Sequence, residues 1–588
     1  MKNSPVRRKS WELQSQSPLV LQLVDEAKVT PLQAQLLVNR GLTDIHAIKA
    51  FLFPRLSQMI DPMRMKGMKE AIKAIVLAME ERRKITVYGD YDADGLTATA
   101  LLATFLSHLG ISVATYVPDR LNEGYGLNEM AVKQIHENGT GLIITVDCGI
   151  SNEREVALAK NLGMDVVITD HHLIPNEFQA QCPVVNPHQP GCSFPFKDLS
   201  GVGLSFFLAV GLRAALRKKG WFKSRIEPDL RDYLDLAALG TMADRVPLLG
   251  QNRMLVSVGV SRMAHSIWPG IRAIMNVAGV GVTDVSSDDL AYRVAPRLNA
   301  PGRMGDSRMG LQVLMSENQS EADVLANKIN AANVRRQALE QEILEQAMTM
   351  LDDQIEGRRT IVLGSENWHR GVLGIVASRL VDRYHRPVMM AAIKDGLAVG
   401  SGRSIDGFDL YGAMKKMSGC FDKFGGHYHA AGFTLQANRL EKLREDLETE
   451  AEVHLHPKDL VPSIRVDSEL FLRNITPDVI HQINALAPFG EGNPEPVFMA
   501  RSVKVFDSRV VGERHLKLRL GQEGPALDAI GFRLGSHHSL KGVSIDLLFT
   551  PEINRWQGTE NVQLKIIDLA PAHPQTANLP DFGVRLKL

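Results

Sequence analysis

The chain alternates short apolar runs with helical periodicity between residues 84 and 170. Strand-length runs rich in β-branched residues lie at 85–89, 113–117, 141–146 and 166–169, and patterns typical of helices lie at 96–109 and 153–162. Strands that alternate with helices in this way form parallel sheets, because each crossover helix returns the chain to the same end of the sheet. The pattern therefore predicts an α/β domain built on a parallel sheet.

Farther along the chain, the pattern predicts a long helix and two more folded modules. No proline occurs between Gly302 and Arg386, and Ser320 with Asp323 resembles a capping box that opens a helix reaching about Ile355. Such a helix would be about 50 Å long, which suits an arm between two domains. A second α/β unit with three glycine-rich turns follows up to Gly432, and short alternating strands at 461–570 predict a small β-barrel.

Two apolar stretches are long enough to be compared with membrane or export segments. The run from Leu199 to Leu212 is shorter than the ~20 residues that cross a bilayer, so it predicts a buried helix. The patch at 18–24 is interrupted by Gln22 and followed by acidic residues. We expect neither a membrane span nor a signal peptide.

A second helical stretch, at about 229–239, runs into a glycine-threonine sequence that predicts a loop carrying Asp244.

Composition narrows the class of protein. The chain has 588 residues, 44% of them hydrophobic, which predicts several folded domains and excludes disorder over most of its length. Its 67 basic residues balance 67 acidic ones, so any surface that binds nucleic acid must be local. The four cysteines include no CxxC pair, which argues against a zinc knuckle or a disulfide framework. A reducing cytoplasm is the expected location.

Acidic and histidine side chains follow three of the predicted strands. The three clusters are Asp90, Asp92 and Asp94; Asp147; and Asp170, His171 and His172. Carboxyl ends of parallel strands meet at one edge of a sheet, where ligands bind, so these side chains should converge there. The predicted loop at Asp244 could close over the same edge.

Several carboxylates within a few ångströms repel one another unless a cation neutralises them. Oxygen ligands with one or two imidazoles and no thiolate suit Mn²⁺ or Mg²⁺ better than a soft metal, although the residues alone leave zinc and iron open. Two ions, bridged by a carboxylate such as Asp147, would activate water and stabilise a leaving oxygen in phosphoester cleavage. The competing interpretation is that each aspartate forms a turn or caps a helix, as Asp94 ahead of Gly95 could do.

These residues carry a resemblance to a known family. Val87-Tyr-Gly-Asp-Tyr-Asp-Ala-Asp-Gly95, Val146-Asp-Cys-Gly149, Thr169-Asp-His-His172 and Ala243-Asp244 resemble the four motifs of the DHH phosphoesterase superfamily. Further motifs resemble the RecJ branch of this superfamily and its DHHA1 domain. They are Arg297-Leu-Asn-Ala-Pro-Gly-Arg303, Trp368-His-Arg-Gly371, Ser401-Gly-Arg-Ser404, Gly425-Gly-His427 and Ala430-Ala-Gly432. The resemblance covers about residues 65 to 570.

The resemblance implies a domain plan. It consists of an N-terminal extension (1–62), a parallel-sheet DHH catalytic domain (63–315), a connecting long helix (316–356), a smaller α/β DHHA1 domain that binds substrate (357–455), a C-terminal OB-type β-barrel that binds nucleic acid (461–570) and a tail (571–588).

The resemblance also implies an activity and roles for residues. The expected enzyme is a 5′-to-3′ exonuclease that degrades single-stranded DNA to nucleoside monophosphates with two Mn²⁺ or Mg²⁺ ions. The implied metal ligands are Asp92, Asp94, Asp147, His171 and Asp244, with Asp147 bridging. His172 would contact the scissile phosphate or support the ligands. Pyrophosphatase-like relatives have a histidine ligand where this chain has Tyr88, which makes Asp90 the candidate to replace it or to support the ligands.

A nuclease that starts at a strand end needs a second phosphate site. Ser401 and Arg403 offer a hydroxyl, backbone amides and a guanidinium, although the residues alone equally suit a glycine turn. The resemblance favours a 5′-phosphate pocket, with Arg120 and Arg303 as partners, and makes His427 a substrate-binding residue. In the barrel, Lys517 and Arg519 alternate with leucines on one β-strand. This basic face could bind single-stranded DNA, or it could be an ordinary solvent-exposed face. Phe489 and Phe506 are expected in the core.

Two alternative functions remain open. One is a phosphodiesterase of the same superfamily that acts on short oligonucleotides or cyclic dinucleotides. The other is a non-catalytic scaffold that binds single strands. For the leading interpretation, the family setting is DNA repair and recombination, including mismatch repair. The expected partners are a single-stranded-DNA-binding protein and a helicase, and a monomer is expected.

Overall fold

The computed structural model describes residues 9–572, except 176–177, 282–284, 352–354, 356 and 557–558. The residues outside this description include the first eight residues of the N-terminal extension, residues near the end of the connecting segment, and the C-terminal tail from residue 573. Among the described residues, none of the helices combines the length and the apolar character that crossing a bilayer requires.

Residues near the N-terminus form a small module that packs on the C-terminal barrel. Its elements are β1 (Ser10–Leu13), α1 (Leu19–Ala27), α2 (Pro31–Asn39) and α3 (Ile45–Leu52). Thr30 caps α2 by accepting a hydrogen bond from the Gln33 backbone N–H, and Pro31 occupies the first helical position, where its missing N–H costs nothing. Leu36 and Ile48 are fully buried in one core with side chains of the barrel.

The first large domain has a five-stranded parallel sheet in the order β3-β2-β4-β5-β6, which confirms the predicted α/β class. The strands are β2 (Lys84–Gly89), β3 (Val113–Tyr116), β4 (Thr140–Val146), β5 (Asp165–Thr169) and β6 (Val184–Val185). β4 is apolar and buried along nearly its whole length, as expected for a central strand covered on both faces.

Helices surround this sheet. They are α4 (Met68–Glu80), α5 (Ala93–His108), α6 (Glu129–Glu137), α7 (Glu153–Asn161), α8 (Gly201–Lys218), α9 (Leu234–Asp244), α10 (Gly250–Met263), α11 (Pro269–Val277), α12 (Ala295–Arg303) and α13 (Arg308–Leu314). The apolar run from Leu199 forms the buried helix α8, as predicted. Asp244 was predicted in a loop, but it is the last residue of α9, because the Gly-Thr-Met-Ala sequence before it continues the helix.

The predicted long helix is α14 (Gln319–Leu351). Ile329 packs in the core of the first domain, and Ile343 and Leu351 pack with residues of the second. The predicted capping box is wrong: Ser320 lies inside the helix, and the side chain of Asn318 accepts the hydrogen bond from the Glu321 backbone N–H at 2.9 Å. Because α14 packs on both domains, it sets their separation.

The second α/β domain has five strands in the order β10-β11-β9-β8-β7. Its elements are β7 (Ile361–Ser365), α15 (Leu373–Tyr384), β8 (Val388–Lys394), β9 (Leu397–Arg403), α16 (Leu410–Lys416), β10 (Lys423–His427), β11 (Ala430–Gln436) and α17 (Leu440–His454). The predicted glycine-rich turns are wrong: Gly402, Gly425 and Gly432 lie inside strands. Gly425 and Gly432 are opposite each other in the ladder, where they leave bare backbone.

The C-terminal domain is a closed barrel, as predicted. Its elements are β12 (Ser463–Val466), β13 (Ser468–Glu469), α18 (Pro477–Asn484), β14 (Phe498–Val511), β15 (His515–Gly521), β16 (Leu527–Gly531), β17 (Ser544–Trp556) and β18 (Thr559–Pro571). β14 closes the barrel by pairing with both β15 and β17, while β16 pairs with β18 in parallel. β12 pairs with β1, so the N-terminal module is tied to the barrel by backbone hydrogen bonds as well.

Arg253 joins three parts of the molecule. Its side chain lies on α10 and is 1% exposed. Its guanidinium donates to the carbonyl oxygens of Phe51 (2.7 Å), Pro488 (3.2 Å) and Ala487 (2.7 Å). Burial lowers the pKa of Arg253 to about 9, because the charged form is removed from water. The N-terminal module and the barrel are therefore fixed to the first domain.

Candidate metal centre and nucleic-acid interface

The sequence-predicted acidic and histidine residues meet at the carboxyl edge of the parallel sheet. Three overlapping groups have ligand atoms within 4.8 Å of one another: Asp90, Asp92 and Asp147; Asp147, His171 and His172; and Asp94, His171 and Asp244. Asp147 belongs to two of the groups, which fits a bridging position. His171 Nε2 lies 3.1 Å from Asp147 Oδ1 and 3.6 Å from Asp244 Oδ2.

Asp92 combines the two roles that the sequence left as alternatives. Its Oδ1 accepts hydrogen bonds from the backbone N–H groups of Asp94 (3.0 Å) and Gly95 (3.1 Å), so it caps α5. A carboxylate has a second oxygen and further lone pairs, so this cap leaves Asp92 able to bind a cation. Capping and metal binding are therefore compatible at this residue.

Asp94 is held by the N-terminus of α8. Its Oδ2 accepts a hydrogen bond from the Gly201 backbone N–H (2.6 Å), and its Oδ1 accepts one from Val202 (2.9 Å). Burial, followed by the charge of Asp244, raises the pKa of Asp94 to about 8 despite these hydrogen bonds. The N-terminus of α8 thus orients the Asp94 carboxylate, but its hydrogen bonds do not offset the cost of burying the charge.

Asp147 lies in a constrained backbone. Its φ of +62° is in the left-handed region, which few residues other than glycine, asparagine and aspartate adopt. Gly201 packs directly against it: a Cβ added at Gly201 would lie 2.5 Å from Asp147 Cβ and 2.7 Å from Asp147 Cγ. Only glycine at position 201 lets α8 approach the central ligand this closely.

The electrostatics of the cluster require a cation. Burial, and then the neighbouring carboxylates, raises the pKa values of Asp90 and Asp147, and raises that of Asp244 to about 7. Burial lowers the pKa of His171, which favours the neutral imidazole that binds metals. Four buried atoms of the cluster lack a hydrogen-bond partner among the described residues: Asp90 Oδ1, Asp147 Oδ1, His171 Nε2 and Asp244 Oδ2. The donor set therefore fits divalent ions with hard oxygen preference.

His172 differs from His171 because Asp170 holds it. Asp170 is fully buried and accepts hydrogen bonds from His172 Nδ1 (2.7 Å), the His172 backbone N–H (3.0 Å) and the Ile150 backbone N–H (2.9 Å). Burial alone would lower the pKa of His172, but the hydrogen bond and charge of Asp170 raise it to about 9. A protonated His172 beside the cluster suits contact with a phosphate.

The position that differs from pyrophosphatase-like relatives lies outside the cluster. Tyr88 is fully buried, stacks on Tyr116 with ring centroids 5.2 Å apart, and donates its hydroxyl to Gly126 O at 2.8 Å. Asp90, in contrast, shares a ligand group with Asp92 and Asp147. The geometry thus favours Asp90 as the residue that completes this end of the cluster.

Sequence reasoning missed two residues that shape the site. Gly201, the first residue of α8, is not marked by any of the sequence motifs. Tyr125 is the second: its hydroxyl lies 3.3 Å from Asp147 O and 3.2 Å from His172 Nδ1. A glycine at the first position of a helix was the available signal for the first, and the residues around Tyr125 offered none.

A second constellation lies in the cleft between the two α/β domains. Arg403 Nη1 donates to Ser401 Oγ at 3.0 Å on β9. Both groups lie at the N-terminus of α15, because a Cβ added at Gly374 would lie 2.8 Å from Arg403 Nη2 and 3.0 Å from Ser401 Oγ. From the other domain, Arg303 Nη1 donates to Gly371 O at 3.2 Å, and the Arg120 guanidinium lies 4.9 Å from the Tyr91 ring.

These arginines form a positive site. Burial, and then the charge of Arg120, lowers the pKa of Arg403 and lowers that of Arg303 to about 9. Within the described part of the chain, no carboxylate forms an ion pair with Arg120, Arg303 or Arg403. The pKa of His427 is lowered first by burial and then by the charge of His172. An anion bound by the arginines would neutralise them beside the cluster.

The predictions for the barrel, a basic strand face and two buried phenylalanines, agree with the structure only in part. Lys517 and Arg519 do alternate with the buried Leu516 and Leu518 on one strand, but both pair with Asp528, at 3.5 and 2.7 Å. Phe489 packs in the core as expected. The core prediction for Phe506 is wrong: it is 46% exposed, because its ring lies over Gly521 on the outer face of the barrel.

Comparison with known proteins decides the family. Family models match in chain order: the DHH family N-terminal domain at 84–241, the DHHA1 domain at 357–452 and the RecJ OB domain at 466–568. The single-stranded-DNA-specific exonuclease RecJ of Bacillus subtilis is 38% identical over 97% of this chain and 72% of its own length. The chain belongs to the RecJ family.

Solved RecJ structures agree with this assignment. A crystal structure of RecJ from Thermus thermophilus in complex with Mn²⁺ superimposes with a TM-score of 0.82 at 30% identity, covering 96% of this chain and 80% of the other. A structure of the same protein with Mg²⁺ gives a TM-score of 0.77 at 29% identity, covering 96% of this chain and 79% of the other. Together with the ligand cluster, these structures support Mn²⁺ or Mg²⁺ as the cofactor of this RecJ family member.

Proposed function

We propose that the protein is a metal-dependent exonuclease that degrades single-stranded DNA from the 5′ end to nucleoside monophosphates. The observation that carries this proposal is the convergence of Asp90, Asp92, Asp94, Asp147, His171 and Asp244 beside a partly buried arginine site that no described carboxylate neutralises. A cation cluster next to an anion site is the arrangement that phosphodiester cleavage at a phosphorylated end requires.

Each part of the cleft has a role in the proposed reaction. Divalent ions held by the carboxylates and His171 supply a nucleophilic water at neutral pH and stabilise charge on the leaving oxygen. His172, held by Asp170, donates a hydrogen bond to the scissile phosphate. The Tyr125 hydroxyl contacts the same Nδ1 atom of His172, and the half-exposed ring of Tyr125 forms part of the wall that the first nucleotide meets.

Arginine forks select the strand end. Arg120, Arg303 and Arg403, together with Ser401 and the first turn of α15, bind the terminal 5′ phosphate. With that phosphate held, the next phosphodiester lies at the metal cluster, so each cut releases one nucleotide. His427 contacts the strand between the two sites.

A single strand fits the cleft for two reasons. Bare backbone at Gly425, where an added Cβ would meet nothing within 4 Å, leaves a flat surface for one strand. Because α14 packs on both domains, we expect it to hold the cleft at a width that admits one strand and excludes a duplex. The barrel binds the strand farther from the end.

The cellular setting that fits is DNA repair and recombination, with a helicase and a single-stranded-DNA-binding protein supplying the substrate to a monomeric, cytoplasmic enzyme.

A comparison of substrates tests the proposal. With Mn²⁺ present, 5′-phosphorylated single-stranded DNA labelled at its 3′ end should release mononucleotides from the 5′ end, while blunt duplex DNA should remain intact. Cleavage of a dinucleotide alone would instead support the oligonucleotide phosphodiesterase, and binding without any cleavage would support the scaffold. EDTA should abolish release.

Arg403 provides a sharper test of end recognition. We expect Arg403→Ala to reduce the preference for a 5′-phosphorylated over a 5′-hydroxyl strand by roughly tenfold or more, because a charge-assisted pair with phosphate is lost. The measurement is the ratio of kcat/KM for the two strands. Arg439→Ala, at an exposed arginine of the same domain, should keep the ratio. An unchanged ratio in Arg403→Ala would place the end site elsewhere.

A further inference from the structure

A polar cavity of about 350 Å³ lies on the barrel, in a different domain from the metal cluster. It spans four strands: Lys517 comes from β15, Asp528 from β16, Asn554 from β17, and Asn561 and Gln563 from β18. The ladder sets these side chains side by side, because Asn554 pairs with Asn561 and Asp528 pairs with Gln563. Its volume is at the lower end of the range for small-molecule sites, roughly 300–1,000 Å³.

The charged residues that line this cavity are one lysine and one aspartate. The Lys517 ammonium lies 3.5 Å from the Asp528 carboxylate, which also accepts a hydrogen bond from Arg519 at 2.7 Å. Asp528 thus offsets part of the positive charge here, whereas the arginines of the cleft form no ion pair with a described carboxylate. A phosphate would meet Asp528 as well as Lys517 there, so the DNA backbone is a poor ligand for this cavity.

Amide groups dominate the remaining lining. Asn554, Asn561 and Gln563 each offer two N–H donors and a carbonyl acceptor. Paired donors and acceptors match the hydrogen-bonding edges of nucleobases, and Asn and Gln pair bidentately with N6 and N7 of adenine. The edge of a base, rather than the sugar-phosphate backbone, has the chemistry that this cavity fits.

We propose that the cavity binds one nucleobase of the DNA strand as the strand crosses the barrel, with adenine preferred. The inference rests on the proposed function, since it assumes that single-stranded DNA passes from the cleft to the barrel. OB-type barrels usually hold single strands by stacking, which tolerates every base. A base-reading cavity instead makes affinity depend on sequence at one position downstream of the 5′ end.

An abasic scan tests the proposal on the full-length protein. Binding of a 5′-phosphorylated poly(dA) oligonucleotide, labelled at its 3′ end, is measured by fluorescence anisotropy in EDTA, which prevents cleavage. A single abasic site is moved along the strand. We expect affinity to fall about tenfold at one position, or at two adjacent positions, well downstream of the 5′ end. The same position should prefer adenine over thymine when single bases are exchanged.

Substitution at Asn561 connects that position to the cavity. Asn561 is exposed, so Asn561→Ala and the isosteric Asn561→Asp should fold normally. Both should flatten the downstream fall in the scan, and Asn561→Asp should also remove the adenine preference because it removes the N–H donors. Asn138→Ala, at an exposed asparagine on the first domain, should retain the wild-type scan.

The outcomes separate this inference from the proposed function. A flat scan in the wild type, or an unchanged fall in both Asn561 variants, overturns the base-binding cavity, even if the protein digests single-stranded DNA normally with Mn²⁺. Loss of all digestion by the wild type would overturn the proposed function instead. Increased affinity of Asn561→Lys for every scanned strand, with no fall at any position, would identify a phosphate site and also overturn the proposal.

Discussion

Replacement of Asp147 by asparagine is expected to lower the rate of single-stranded DNA hydrolysis by about 1000-fold or more. Asp147 is shared by two of the three ligand groups, so its loss removes negative charge from both proposed metal positions. A loss of about 4 kcal/mol of transition-state stabilisation, which is within the range of metal catalysis, corresponds to this factor. Asparagine also tolerates the left-handed backbone at φ +62°, so the local fold should persist.

The same variant has a second expected effect, of opposite sign, on stability. Burial and neighbouring carboxylates raise the pKa of Asp147, so its ionised form destabilises the folded protein without metal at neutral pH. The neutral amide of the variant removes that penalty. In EDTA, Asp147→Asn should melt at a higher temperature than the wild type, and added Mn²⁺ should stabilise the variant less than it stabilises the wild type.

The measurements are single-turnover hydrolysis and thermal unfolding with and without Mn²⁺. Asp165→Asn is the matched control, because it makes the same chemical change at the start of β5, where the carboxylate is exposed and pairs with Arg83 at 2.6 Å. It should hydrolyse DNA at the wild-type rate. Activity of Asp147→Asn within about tenfold of the wild type would mean that Asp147 does not hold the ions.

Residues at strand ends could be predicted from the sequence because their placement follows from local patterns. The runs before Asp90, Asp147 and His171 have the period and composition of buried parallel strands, and the edges of such strands necessarily meet. The family motifs added the roles of Ser401, Arg403 and His427, which stay predictions. None of these inferences needs the packing of distant segments.

What the sequence did not show depends on contacts between distant residues. The hydrogen bonds from α8 to Asp94, and the close packing of Gly201 on Asp147, join segments that are far apart in the chain. In the sequence, Asp170 cannot be distinguished from a metal ligand. The structure shows that its carboxylate accepts hydrogen bonds from Ile150 and His172 instead. The glycines of β9, β10 and β11 resemble turn residues in the sequence. Only the pairing of the three strands shows that these glycines lie side by side and leave backbone without side chains.

Gly201→Ala is expected to reduce hydrolysis about 100-fold or more while the protein stays folded. The added methyl would lie 2.5 Å from Asp147 Cβ and 2.6 Å from Asp147 Oδ1, so either α8 or the central carboxylate must move. A shift of about 1 Å in a catalytic group can cost about 100-fold. Movement of α8 would also withdraw the N–H groups that hold Asp94. Alanine favours helices more than glycine does, so α8 itself should not be weakened.

Gly203→Ala separates the ligand contact from a general effect on α8. At Gly203 an added Cβ would lie 3.1 Å from Ser200 Oγ and 3.4 Å from Leu199 Cδ2, contacts that small side-chain adjustments can relieve. We therefore expect Gly203→Ala to retain most of the activity, whereas Gly201→Ala should show lower affinity for Mn²⁺ together with the lower rate. Equal losses in the two variants would show that α8 tolerates no added bulk anywhere. They would remove the reason for assigning Gly201 a specific part in positioning Asp147.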